Sequence, residues 1–203
     1  MKKKYWLILL IVIIAIGGII FYKNRVKYFK NGNNRTSQEI VDYILNISSY
    51  EVKVTVSVTS NKNSNKYILT QKYQSPNINI QEVIEPSNIA GIKIENDGTN
   101  LKIENSQLSL NTILENYNYL GDNCLDLYSF IEDYKQDENA KYEEKDTEIL
   151  MKASSNINNI YIQEKTLHID KTTFMPTQME IKDNQQKTTI YILYNEVNVN
   201  STK

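Results

Sequence analysis

Hydrophobic positions in this chain follow two periods, after one long unbroken run. The run comes first: YWLILLIVIIAIGGIIFY, from Tyr5 to Tyr22, carries no charge. As a helix it rises about 27 Å, close to the roughly 30 Å of bilayer hydrocarbon. A single membrane-spanning helix is therefore expected, with Trp6, Leu10, Ile14, Ile19 and Tyr22 along it and aromatic rings at both ends, where they favour the interface. KNGNNRTS (30–37) then reads as a polar linker. Thr36 and Glu39 form a capping-box pattern, and Ile40, Val41, Ile44, Leu45 and Ile47 form a helical stripe, predicting a helix over about 37–48.

The period then changes to two. In YEVKVTVSVTS, Val52, Val54, Val56 and Val58 alternate with charged and hydroxyl residues, the plainest strand in the chain. SNKNSN turns it back into KYILTQKYQ, and Pro76 and Pro86 bracket a third alternating stretch, NINIQEVIE. Leu110, Ile113, Leu114 and Tyr117 have helical spacing, as do Leu125, Leu127, Phe130, Ile131 and Tyr134, so two short helices are expected there. After a charged stretch (135–148), strands resume around ILMKAS, NIYIQEKTLHID, PTQMEIKD and TTIYILYNEV. Short connections make the sheet antiparallel and the class α+β.

GIKIENDGTNLKIEN (91–105) is the best-defined hairpin. A tight turn at Asp97-Gly98 pairs Ile94 with Leu101 and Ile92 with Ile103 on one face. It also sets Lys93 opposite Lys102, an unfavourable pair that the diagonals to Glu95 and Glu104 offset. The apolar face is expected to meet helices around Leu114 and Phe130.

Charge divides the chain. The first thirty residues carry +7; the remainder holds all 24 acidic residues against 16 of the 23 lysines and arginines, a net −8. An acidic domain argues against a nucleic-acid partner, and the basic flank suits anionic headgroups. The organisation expected is a membrane anchor with basic flanks over 1–30, a linker over 31–36 and an extracytoplasmic domain over 37–203. The alternative is a signal peptide cut after Ala15-Ile16-Gly17, which would leave the apolar terminus GIIFY. Basic residues on both sides of the span nearly cancel the orientation signal; the short basic N-terminus favours the domain outside.

Candidate chemistry is sparse. The single Cys124 excludes an internal disulfide and any multi-cysteine metal site, and reads as a small packed residue. His168 is the only histidine; in TLHID it faces away from Leu167 and Ile169, as a surface residue. No nucleophile elbow or glycine-rich phosphate loop is present, and DGTNLKIEN lacks calcium-loop spacing. No catalytic residue, cofactor or metal ligand is assigned. The fifteen tyrosines read as packing or as an aromatic binding face.

Several stretches resemble a known family: QEVIEPSNIAGIKIENDGTNLKIEN, ILENYNYLGDNCLDLYSFIEDY and LHIDKTTFMPTQMEIKDNQQKTTIYILYNEV. They look like the germination lipoprotein (GerS-related) group of clostridial spore formers, within the LolA/LolB-like lipoprotein-carrier superfamily. The resemblance spans about 37–199 and implies a curved, incomplete antiparallel barrel with helices packed in its mouth. Concave-face contacts would then fall to Ile92, Ile94, Leu101, Ile103, Leu114 and Phe130. In carriers of the superfamily that face takes acyl chains; in the germination branch the fold supports a cortex amidase. The chain departs from the group in having a membrane span and no lipobox cysteine. Two functions are therefore expected: a non-catalytic anchored module binding an envelope protein such as an amidase, or a lipid or lipoprotein carrier.

Overall fold

The structure, a computed structural model, describes residues 35–60, 62–117 and 123–201. The expected span with Trp6, Leu10, Ile14, Ile19 and Tyr22 lies outside these residues, as does the linker up to 34. Among the described residues no helix is long and apolar enough to cross a membrane.

Helix α1 (Ser37–Leu45) leads into the long strand β1 (Ile47–Thr59). A meander follows: β2 (Ser64–Gln74), β3 (Ile78–Glu85), β4 (Lys93–Asn96), β5 (Leu101–Asn105) and β6 (Leu110–Leu114). Helix α2 (Leu127–Gln136) precedes a second meander of β7 (Lys141–Glu144), β8 (Glu148–Asn159), β9 (Ile162–Asp170), β10 (Pro176–Lys182) and β11 (Thr188–Ser201). The eleven strands among the described residues form one antiparallel sheet in the order β6-β5-β4-β3-β2-β1-β11-β10-β9-β8-β7. It is open, ending at β6 and β7. Every neighbouring pair is consecutive in sequence except β1–β11, where the two meanders join.

Alternation places Val52, Val54 and Val56 of β1 on the inner face, buried to 2% exposure or less. On β11 the inner residues are Ile190, Ile192 and Tyr194, then Val197 and Val199. The phase changes because Asn195 is an extra residue: Lys53 pairs with Glu196 but Val54 with Tyr194. This bulge keeps both halves of β11 facing inward and bends the strand.

Both helices present i, i+3, i+4 stripes to that face. Ile40, Val41 and Ile44 of α1 and Leu127, Phe130 and Ile131 of α2 join one buried cluster with Ile149, Met151, Leu167, Ile169, Met179 and Ile181. Each such side chain contributes about 1.5–3 kcal/mol on leaving water. Asp126 caps α2 by accepting from Tyr128 N–H at 2.9 Å. At the other end the Asp137 carboxylate accepts from Asn139 and Ser154 N–H at 2.8 and 2.7 Å, tying the helix to β8.

Four sequence expectations are corrected. Helix α1 stops at Leu45, and Ile47 starts β1. No helix forms over 109–117: Leu110–Leu114 is strand β6, bracketed by Ser109 and Asn116 at φ 52° and 54°. Pairing with β5 satisfies that backbone, and the apolar spacing that looked helical leaves Ile113 and Leu114 exposed. The charged stretch contains β7, an edge strand whose Glu143 pairs with Lys152 at 2.9 Å. In the hairpin, Asn96 pairs with Leu101 and Ile94 with Ile103, so the loop has four residues rather than two. Facing is preserved because the slip is two positions, but Lys93 now opposes Glu104 and Glu95 opposes Lys102. The like-charge pair is gone, replaced by contacts of 3.0 Å (Lys93–Glu95), 3.7 Å (Lys93–Glu104) and 2.6 Å (Lys102–Glu104).

The wider loop is closed by Asp97, whose carboxylate accepts from Thr99 and Asn100 N–H at 2.9 and 2.7 Å. Those bonds hold its carboxyl below the usual carboxylate range. Gly98 sits at φ +93°, and a Cβ there would lie 2.7 Å from Asn77 Cβ. Gly98→Ala is therefore expected to cost about 1–2 kcal/mol from the left-handed backbone alone, and more from the clash. Urea unfolding of the variant checks this; an unchanged midpoint would contradict it.

Candidate binding surface

The inner face is not uniform. Over β1 and β8–β11 it is apolar and filled by α1 and α2, and α2 packs chiefly on β8. Over β2–β5 it carries a row of amides: Gln71, Asn79, Gln81, Asn96 and Asn105, all buried. Register places them on one face, with Gln71 opposite Gln81 and Asn79 opposite both Tyr73 and Asn96.

Part of this row is structural. Gln71 Nε2 donates to Leu125 O at 3.0 Å, fastening the segment that leads into α2. Asn96 Nδ2 donates to Asn77 O at 3.1 Å, and Asn105 Nδ2 to Ala90 O at 2.9 Å. Among the described residues, Gln71 Oε1, Asn79 Oδ1 and Gln81 Nε2 have no hydrogen-bond partner.

The entry to α2 is a tyrosine cluster. Tyr73 stacks on Tyr128 with centroids 4.1 Å apart, and Tyr50 lies 5.4 Å from Tyr73. Tyr50 Oη donates to the buried Asp126 carboxylate. Burial raises the Tyr73 and Tyr128 phenols above their ordinary pKa, and raises Tyr194 most. These tyrosines are packing residues. Tyr119 lies outside the described residues.

Sequence alternation did not reveal that Lys165 is fully buried. It shares the inner face with Leu167 and Ile169. Its Nζ lies 2.7 Å from Asp133 Oδ2 and donates to Ser129 Oγ at 3.0 Å, joining β9 to α2. The contact with Asp133 is an ion pair by distance, not a well-aligned hydrogen bond. Asp133 at an inward helical position and Lys165 in phase with Leu167 and Ile169 were the available signals.

His168 is on the outer face, as its alternation implied, but it is half-buried rather than free. Its Nδ1 lies 2.9 Å from Glu148 Oε2, and its Nε2 is 4.0 Å from Glu180 Oε1. Cys124 is buried, which pushes its thiol pKa up and disfavours the nucleophilic thiolate. Among the described residues no group of three His, Cys, Asp or Glu side chains could hold a metal ion.

The six expected concave-face residues separate. Phe130 belongs to the filled core; Ile94, Leu101, Ile103 and Leu114 lie outside that cluster, on the wing of β4–β6. Leu114 is opposite Leu101 across the strand pair, not on a helix above it. Ile92 precedes β4, its carbonyl accepting from Val83 N–H at 2.9 Å. A cavity of about 630 Å³ lies against Ser49, Glu51, Lys72, Gln74, Ile78 and Asn200. A second, of about 500 Å³, lies against Glu82, Lys93, Glu104, Asn105, Ser109 and Asn111. Both have walls of mixed polar and apolar character.

An open antiparallel sheet with a helix-filled interior on one side and an amide-faced wing on the other defines a scaffold class. The chain belongs to the YdcC-like sporulation protein family, whose model matches residues 2–202. No match is found among curated proteins. Among solved structures it is similar to the GerS lipoprotein of Clostridioides difficile, seen in complex with the CwlD amidase: 24% identity, 80% of this chain and 95% of that one, TM-score 0.52. A conserved protein of Thermus thermophilus matches at 9% identity over 83% of this chain and 90% of that one, TM-score 0.53. A LolA superfamily protein of Nitrosomonas europaea matches at 14% identity over 83% and 96%, TM-score 0.44. The expected kinship with sporulation proteins is borne out, and the fold is shared with GerS.

Breaking the Lys165–Asp133 pair leaves a buried charge. Lys165→Met or Asp133→Leu alone is expected to cost roughly 3–5 kcal/mol. The double variant should recover most of that in a denaturant-based double-mutant cycle; additive losses would contradict the pairing.

Proposed function

We propose that this chain is a non-catalytic, membrane-anchored, extracytoplasmic binding module acting in sporulation. Its partner is a cell-envelope protein, a peptidoglycan amidase of the CwlD type. One observation carries the choice between binder and carrier: the apolar part of the inner face is occupied by the chain's own α2, through Leu127, Phe130 and Ile131 at 1% exposure or less. The rest of the inner face, over β2–β5, is lined by amides. Amides match peptide groups, each offering a donor and an acceptor, whereas an acyl chain gains nothing from them and leaves them unpaired.

The reading is supported by family membership and by the fold shared with GerS, which was captured with an amidase. The partner-facing surface is then the wing of β3–β6. Anchoring rests on the uncharged run from Tyr5 to Tyr22. A tether also suits a module that works beside one membrane better than a carrier that crosses between two.

The test is co-expression of the full-length chain with the CwlD-type amidase of the same cell, followed by detergent extraction, gel filtration and lipid analysis of the purified chain. Co-elution at a fixed ratio with no stoichiometric acyl chain is expected. Stoichiometric bound acyl chains without amidase co-elution would overturn the reading in favour of a carrier.

A further inference from the structure

The two edges of the sheet are built differently. Edge β7 (KYEE) is charged, and its glutamates are engaged: Glu143 with Lys152 at 2.9 Å, Glu144 with Lys171 at 2.5 Å. Edge β6 (LNTIL) has no charge and no proline, and no strand lies beyond it among the described residues. Leu108, Ile113 and Leu114 beside that edge are 51%, 60% and 39% exposed. Native edges are normally blunted by lysine, proline, a bulge or a covering segment; β6 has none of the first three, and its pairing with β5 is regular over all five residues.

We propose that β6 is a self-association edge, pairing antiparallel with β6 of a second copy of this chain. A two-fold axis through Thr112 sets Leu110 opposite Leu114 of the second copy, and Asn111 opposite its Ile113. Both leucines of β6 are on the inner face with Leu101, so the leucine pairs stack on the same side as the wing's apolar residues. No like charges meet. Pairing β6 with β7 of another molecule would instead set apolar residues against engaged charges, and each added copy would expose a new edge, giving open chains. Self-pairing consumes the edge and stops at two. Five residues of strand are less than a standard interface, so the dimer is concentration-dependent. The contact uses the strand edge, not the amide face.

Register makes this testable with single cysteines in the full-length chain in detergent micelles. Thr112 is exposed, and at the two-fold its copy lies within disulfide reach, about 4.5–5.5 Å between Cα atoms. Asn111 would lie roughly 8 Å from its own copy, from two residues of strand offset plus the strand spacing, beyond that reach. Cys124 is buried and serves as the silent background. Under mild oxidation, T112C is expected to cross-link to a dimer, while N111C and the unaltered chain do not. In parallel, T112K places two lysines at the axis and should lose the dimer in sedimentation, with unchanged circular dichroism.

Equal cross-linking of N111C and T112C would overturn the register and the proposal with it. So would a monomer at every concentration. If T112C stays monomeric alone and T112K loses amidase co-elution, the edge takes a partner's strand and the second-copy proposal fails. The cross-linking and sedimentation outcomes do not depend on whether the amidase binds the amide face.

Discussion

The pairing of β1 with β11 is the constraint on which the rest depends. Each meander closes through local hairpins, but only this seam joins them within the sheet, bringing residues 47–58 against 190–201. It is also the costliest contact to form, because it closes the longest loop of any strand pair in the sheet. The seam survives because valines of β1 meet aliphatic and tyrosine side chains of β11 on a face that the helices then seal. The bulge at Asn195 lets a fourteen-residue strand stay in register with a bent partner. Without it, Val197 and Val199 would turn outward.

Once the seam is formed, the inner face divides in two. On the β8–β11 side, aliphatic strands need a cover, and α2 provides it, pinned by Asp126 and Tyr50 at one end and by Asp137 on β8 at the other. The Lys165–Asp133 pair adds specificity more than stability: apolar residues of similar shape would pack as well, but a displaced helix would strand a charge. On the β2–β6 side the same face carries amides, and no aliphatic helix face would be matched by it. The sheet therefore ends in a wing lined with buried amides, three of whose polar atoms have no hydrogen-bond partner among the described residues, a lining suited to peptide groups.

Much of this was legible in the sequence. Period-two runs located β1–β3, β8–β10 and most of β11, and Leu127, Phe130 and Ile131 located α2. The failures have physical causes. Helical spacing at Leu110, Ile113 and Leu114 was too short to outweigh pairing with β5, a non-local contact that no local pattern records. The hairpin loop was drawn two residues too tight because Asp-Gly dominated the turn signal, whereas cross-strand charges and the Asp97 carboxylate favour the wider loop. Lys165 was hidden because a lysine in a strand reads as solvent-facing. The amide row was visible residue by residue, but only the register shows that Gln71, Gln81, Asn79 and Asn96 share a face. Phe130, expected among the concave-face contacts, lies in the filled core, because the same apolar character marks a filled core and an open groove.

Interior filled, wing lined with amides: these two features support the proposed protein-binding module over a lipid carrier. Hydrogen–deuterium exchange of the full-length chain, alone and with the CwlD-type amidase, tests this most directly. Protection on binding is predicted in β3–β6, with the slow exchange of α2 and the β1–β11 seam unchanged. Protection confined to the outer face of β8–β10, with the wing exchanging as in the free chain, would contradict it.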